Sequence, residues 1–266
     1  MNSWSLTPEQ QCAYRSDGYV VPAVRISQQR VDTLNRALEA VVAACPDVRP
    51  EQLTGAHIAT ALSGTLDGPT PFLSLALDPD LLTLVSGVLG DDIVMWGIQL
   101  FCKPGDDGME VPMRQDGQYW PIRPLATCTV WLALDDSDRH NGCLAVIRGS
   151  HRERIHYAHR TRDESNLVLN QAVDDARVPS GTEYVELESG QLSMHDVYLV
   201  HGSSPNTSGR RRAGLAIRYM PATSWFRRDV EMPFTGYAVQ WDTKPIWLAR
   251  GHDICGKNDF QVGHSR

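Results

Sequence analysis

The sequence contains no CxxC pair, no apolar run long enough to cross a membrane and no surplus of positive charge. Its six cysteines, Cys12, Cys45, Cys102, Cys128, Cys143 and Cys255, are scattered over 266 residues. That spacing argues against a disulfide framework and for reduced, mostly buried thiols. No stretch approaches the ~20 apolar residues of a membrane helix. The opening MNSWSLTPEQQ lacks the basic region and apolar run of a signal peptide. These absences predict a soluble, cytoplasmic chain with no membrane partner. A formal charge of −7 argues against nucleic acid as a partner, with one local exception in the run Arg210, Arg211, Arg212. Internal repeats and low-complexity tracts are also missing, so the chain reads as one body rather than an array.

What is present is enough for one substantial core. Hydrophobic residues make up 42% of the chain, and a single domain over residues 1–266 is the expectation. Thr7-Pro8-Glu9-Gln10 reads as a helix start, with Thr7 as cap, Pro8 at the first helical position and Gln10 as reciprocal partner. GYVVP at 18–22 reads as a short strand. Val31, Leu34, Leu38, Val41 and Val42 recur at helical spacing, which predicts an amphipathic helix from Ser27 to about Cys45. A shorter helix follows Asp78 through Leu89 and stops at Gly90. The pattern then turns to strands: DIVMWGIQLFCK, TCTVWLALDD, CLAVIRGSH and RAGLAIRYMP. TEYVELESGQLSMHDVYLVHGS reads as a hairpin turning near Ser189-Gly190. Residues 152–182 are polar and predict a loop or irregular insertion, and the segment from Trp241 onward predicts a loosely packed tail. Strands separated by turns, without alternating helices, predict a mostly β fold. The architecture that fits is a double-stranded β-helix, the cupin-like jelly roll, with the N-terminal helices packed outside.

Such an interior can enclose a small-molecule site, and three residues suggest its chemistry. A non-heme Fe(II) oxygenase needs two His and one carboxylate on one face, with the opposite face open to co-substrate and oxygen. The carboxylate and the first His usually stand two apart, because side chains at i and i+2 of an extended segment point the same way. Asp116 can be the carboxylate and His201 the distant His. Eleven residues later, Arg212 can clamp the far carboxylate of an organic acid through paired hydrogen bonds. Taken singly these signals are weak. Asp before Gly is most often a turn former, a His beside Gly at a strand end is usually a satisfied loop residue, and Arg210–Arg212 alone would be a solvated turn.

Their order carries more. LFCKPGDDGMEVPMRQDGQYWPIRP, TCTVWLALDDSDRHNGCLAVIRGSHR, SGQLSMHDVYLVHGSSPNTSGRRRAGLAIRYMP and WGIQLFCK together resemble the phytanoyl-CoA dioxygenase (PhyH-like) family of Fe(II)/2-oxoglutarate oxygenases. The resemblance runs from about Thr7 to Asp229. It implies Asp116 and His201 as metal ligands and Arg212 as partner of the C5 carboxylate of 2-oxoglutarate. It places Gln99, Thr129, Trp131 and Ser203 in the oxoglutarate pocket, and Tyr119, Trp120 and Arg218 near the substrate. His195, six residues before His201, reads as a strand residue inside the sandwich rather than a replacement ligand. The reaction implied is oxidation of a small molecule coupled to conversion of 2-oxoglutarate to succinate and CO2, as in tailoring oxygenases of secondary metabolism.

One residue departs from the family pattern, which has His where this chain has Arg114. A guanidinium stays protonated and offers no lone pair. On the same face as Asp116 it is placed to form an ion pair and neutralise the anionic ligand. It also opposes a dication: charges of +1 and +2 about 4 Å apart repel by roughly 8 kcal/mol at an effective dielectric of 20. Three readings follow. The chain is a working oxygenase in which Arg114 swings away and a water or a nearby side chain completes the site; it performs metal-free, isomerase-like acid–base chemistry in the same pocket; or it is a non-catalytic member that binds a ligand or a partner subunit. As protein partners, a second copy of the chain or an intact family member is expected.

Overall fold

The helical start reads as the sequence predicts. Thr7 Oγ1 accepts the N–H of Gln10, and Gln10 Oε1 accepts the N–H of Thr7, closing a capping box over α1 (Pro8–Asp17). The computed structural model describes residues 4–56, 58, 70–229 and 241–264. After β1 (Tyr19–Val20), α2 (Gln28–Ala44) is capped by Ser27 and buries Val31, Leu34, Leu38 and Val41. α3 (Pro71–Ala76), capped by Thr70, was not expected; at six residues it is too short to show a helical period. α4 (Pro79–Leu89) starts at the Asp78 cap and ends at Gly90.

The strands follow in the order β2 (Ile93–Lys103), β3 (Val111–Arg114), β4 (Ile122–Arg123), β5 (Cys128–Ala133), β6 (Leu144–Val146), β7 (His159–Thr161), β8 (Gln171–Val173), β9 (Glu183–Val185), β10 (Leu192–Asp196), β11 (His201–Ser203), β12 (Arg212–Pro221), β13 (Trp225–Phe226) and β14 (Trp247–Arg250). A larger sheet runs β1-β10-β5-β12-β2-β14 and a smaller one β3-β11-β6-β9. Every pairing in the two is antiparallel. Phe101, Trp131 and Ala216 of the larger sheet pack with Val111, Leu144, Val146 and Val185 of the smaller one. On the other face of the larger sheet, Ile98, Leu100, Val130, Leu132, Met194, Leu215 and Ile217 pack against α2, α3 and α4. This is the jelly roll with helices outside.

Three expectations are corrected. Residues 183–203 do not form a hairpin: β9 pairs with β6, β10 with β5 and β1, and β11 with β3 and β6. The turn at Gly190, with φ at 85°, carries the chain from one sheet to the other. Alternating polarity reveals which face a residue takes, not which strand it pairs with. The polar stretch 152–182 holds a two-stranded ribbon, β7 with β8. The C-terminal stretch is not a loose tail, because Ile246 is fully buried and β14 extends the larger sheet at β2. Of the cysteines, all free, Cys102, Cys128 and Cys143 are buried, Cys45 and Cys255 partly so, and Cys12 is exposed. No helix among the described residues is long and apolar enough to cross a membrane.

Candidate functional site

The two-residue period of the strands decides what the larger sheet shows to the smaller one. Val130 and Leu132 of β5 face the helices, so Thr129, Trp131 and Ala133 face inward. The same alternation turns Gln99 and Phe101 of β2, Ser193 and His195 of β10, and Arg212, Gly214 and Arg218 of β12 toward the smaller sheet. Gly214 has a steric reason to lack a side chain, since a Cβ there would stand 2.2 Å from the Trp131 ring.

The smaller sheet supplies the other wall. Arg114 ends β3, and Asp116 opens a 3-10 turn, Asp116–Tyr119. Between them, Gln115 points away and is fixed there. Its Nε2 donates to the carbonyls of Ile155 (3.0 Å) and Tyr198 (2.7 Å), and its Oε1 accepts the Tyr157 N–H (2.7 Å). Arg114 and Asp116 are thereby left on one face, and Arg114 lies opposite His201 in the β3–β11 register. Arg114, Asp116, His195, His201, Arg212 and Arg218 all line one cavity.

At the floor of this cavity, Arg114 Nη2 lies 3.1 Å from Asp116 Oδ1, and His201 Nε2 lies 3.6 Å from the same oxygen. The rings of His195 and His201 are 4.7 Å apart between centroids. One donor atom each from Asp116, His195 and His201 falls within 4.8 Å of the other two. Burial pushes the Asp116 carboxyl up, but the charges of Arg114, His201, Arg218 and His195 outweigh it and hold the group well below the usual carboxylate range. Burial drives both imidazoles down, with His201 adding to the effect on His195 and Asp116 partly offsetting it at each ring. His201 Nδ1 is 2.9 Å from the Leu199 carbonyl. A carbonyl only accepts, so Nδ1 carries a proton, and in the neutral ring Nε2 keeps its lone pair. His195 differs: it is buried, and neither ring nitrogen has a partner among the described residues. Leaving a buried polar group unpaired costs about 1–3 kcal/mol.

Arg212 stands elsewhere in the cavity lining. Arg210 and Arg211 of the same run pair outward, with Asp138 (2.6 Å) and Asp135 (2.8 Å). Arg212 alone is drawn inward, where its guanidinium lies over the Trp131 ring at 5.4 Å and reaches only the Phe101 carbonyl, at 3.5 Å. Burial pushes its pKa down to about 10, and among the described residues it has no carboxylate in ion-pair contact. Ser203 and Trp131 share this lining. The Thr129 hydroxyl is buried and unpaired. Gln99 accepts from Arg218 Nη2 at 2.9 Å. Arg218 also lies over Trp96 (5.8 Å) and Trp120 (5.2 Å), so Trp120 stands behind Arg218 in an apolar cluster and is not part of the lining. The Tyr119 side chain lies outside the described residues.

Residues 14–214 match the phytanoyl-CoA dioxygenase (PhyH) family. The chain belongs to that family. Among relatives of this PhyH chain, a probable alpha-ketoglutarate-dependent hypophosphite dioxygenase of Stutzerimonas stutzeri is 30% identical over 155 residues, covering 57% of this chain and 54% of that protein. Human peroxisomal phytanoyl-CoA dioxygenase is 26% identical over 199 residues, covering 67% and 59%. The match thus spans little more than half the length of these relatives. L-proline trans-4-hydroxylase of Streptomyces griseoviridis is 27% identical over 243 residues, covering 85% and 87%. Among solved structures, the non-heme monooxygenase ThoJ superposes with a TM-score of 0.68 at 22% identity, covering 92% and 84% of the two chains. The alpha-ketoglutarate-dependent carbocyclase SnoK from nogalamycin biosynthesis gives 0.66 at 24%, covering 87% and 90%. These two likenesses show the shared fold. Iron and 2-oxoglutarate are the cofactors of PhyH proteins, and the related epimerase SnoN has been solved with both.

Two imidazole nitrogens and a carboxylate oxygen, buried and converging, are a donor set that suits a divalent first-row metal. Arg114 is the residue at odds with it. His195 is the strand residue inside the sandwich that the sequence predicts, and it stands within reach of Asp116 and His201. The signal was present in LSMHD, where apolar Leu192 and Met194 face the helices and so send Ser193 and His195 into the sandwich.

Proposed function

We propose that this chain is an Fe(II)/2-oxoglutarate-dependent dioxygenase that hydroxylates or otherwise oxidises a small molecule. Arg212 carries the reading. A buried guanidinium without a carboxylate partner is unfavourable in a protein alone and is satisfied by an organic diacid. It lines the same cavity as Asp116 and His201.

Asp116 and His201 would hold the metal, which supplies oxygen activation when bound. The chain's own residues do the rest. Arg212 orients the diacid, with Trp131 beneath its guanidinium and Ser203 beside it. The Leu199 carbonyl fixes the His201 tautomer so that Nε2 faces Asp116. Phe101, Trp131 and Leu144 give the cavity apolar walls that limit water. Arg218, held by Gln99 and flanked by Trp96 and Trp120, offers a charged group to substrate. The names of the relatives span an acyl-CoA, an amino acid and an inorganic oxyanion, so the substrate proposed here is a small polar molecule and not specifically a thioester.

The Arg114–Asp116 ion pair favours a second reading, in which the pocket works without metal by acid–base chemistry. The two readings separate under anaerobic loading followed by exposure to oxygen. The oxygenase reading expects Fe(II)-dependent succinate from 2-oxoglutarate, abolished by EDTA. Turnover that survives EDTA would establish the metal-free reading instead. Arg212→Ala should weaken 2-oxoglutarate binding by about 2–4 kcal/mol, read by calorimetry; unchanged affinity would remove Arg212 from its role.

A further inference from the structure

We propose that His195 is the third protein ligand of the metal centre, standing in from the larger sheet for the imidazole that position 114 lacks. The ion is then held by Asp116, His195 and His201, with one donor from the larger sheet, one from the smaller and one from the turn that follows β3. The assignment rests on the reading that this site takes a divalent metal.

The arrangement of lone pairs points to a cation at this spot. His201 Nδ1 is committed to the Leu199 carbonyl, so in the neutral ring Nε2 directs its lone pair at a carboxylate oxygen only 3.6 Å away. Two acceptors facing one another repel unless a positive charge lies against them. Arg114 Nη2 supplies that charge to Asp116 at 3.1 Å, whereas a metal ion would meet Asp116 and the neutral His201 Nε2 together. His195 adds a further lone pair. It is buried on the inner face of β10, its ring is 4.7 Å from that of His201, and neither nitrogen is bonded. A buried imidazole with no protein partner among the described residues, beside a second imidazole and a carboxylate, has the requirements of a ligand and few of a packing residue. No two of the three donors are more than 4.8 Å apart. Bonds of about 2.1 Å at right angles set donors about 3 Å apart, a closure within the reach of ring rotation about χ1 and χ2.

Arg114 takes a different part in this scheme. It competes with the ion for Asp116 and has to release that carboxylate when the ion arrives. Its Nε and Nη1 have no partner, so one contact with Asp116 is what binds its head group.

The test uses metal alone. The full chain is titrated anaerobically with Co(II), and the Cu(II)-loaded protein is examined by pulsed EPR, which counts coordinated imidazoles by their remote nitrogens. The expected result is one ion per chain and two imidazoles. His195→Phe, which keeps a ring in the space, should weaken Co(II) binding at least 30-fold and leave one imidazole, and His195→Cys should recover part of the affinity. Stoichiometric binding with one imidazole in the wild type, or wild-type affinity in His195→Phe, would overturn the role of His195 and leave the metal reading standing. If the wild type takes up no ion, the titration is repeated in Arg114→Met. Uptake there that depends on His195 supports the assignment, uptake independent of His195 overturns it, and no uptake overturns both it and the metal reading. Should His195→Phe not fold, the imidazole count of the wild type decides alone.

Discussion

At position 114, an imidazole and a guanidinium make opposite demands on Asp116: one shares a metal with it, the other neutralises it. With both partners buried, the Arg114–Asp116 pair is costly to break and cheap to replace as a unit. Asp116→Asn strands a buried guanidinium and should cost about 3–5 kcal/mol at pH 7, whereas adding Arg114→Met should recover most of that loss. Chemical denaturation of the four proteins of the cycle measures both values. The sign of the pH dependence follows from the carboxyl's lowered pKa. Its contribution is complete above the unfolded value near 4 and is lost as pH falls further toward the folded value. The stability gap between the wild type and Asp116→Asn should therefore stay level from pH 7 to about 5 and narrow below about 4. A gap that widens on acidification would contradict the pairing. The ion pair was legible in the sequence, because the i, i+2 spacing of Arg114 and Asp116 puts both on one side of an extended chain. The unbonded state of His195 was not, since it depends on which groups other strands bring near.

Strands and helices were legible to different degrees. Caps announced the helices: Thr7, Ser27 and Asp78 each precede a helix and each accept a backbone N–H from its first turn. Thr70-Pro71 was the same signal for α3, ahead of too few residues to confirm it by period. Strand faces were also legible, because polarity alternates along β5, β10 and β12. Partners were not, and the 183–203 stretch was misread for that reason, with three successive strands entering alternate sheets. The tightest constraint between neighbouring strands is Gly214 on β12 under the Trp131 ring of β5. Gly214→Ala should push Trp131 from its place, destabilise the protein by about 1–3 kcal/mol and shift the tryptophan emission. Because Arg212 rests on the same indole, 2-oxoglutarate affinity should fall as well. Unaltered stability and affinity would show that Trp131 can yield without disturbing the wall.

For the whole molecule, composition and charge pointed away from nucleic acid and membranes and toward one globular body, while the covering of the larger sheet lay beyond their reach. α2, α3 and α4 cover one face, and β14 extends the edge beyond β2. Lys244 reaches over Trp96 at 5.9 Å, Ile246 is fully buried, and the Cys255 N–H bonds the Ala222 carbonyl. Ending the chain at residue 241 would remove this cover, bare the backbone of β2 and expose apolar side chains worth about 1.5–3 kcal/mol each. The shortened protein should melt at a lower temperature and elute partly as aggregate on size exclusion. A monomer of unchanged melting temperature would mean that the edge strand is dispensable.

The Arg114–Asp116 contact also bears on the kinetics of cofactor acquisition. A tethered cation cannot diffuse out of the cavity, so loading is a swap of one positive group for another and not a simple addition. Its speed is limited by how often the arginine lets go. Uptake should therefore level off as the free ion concentration rises, where an ordinary open site would fill in proportion to supply.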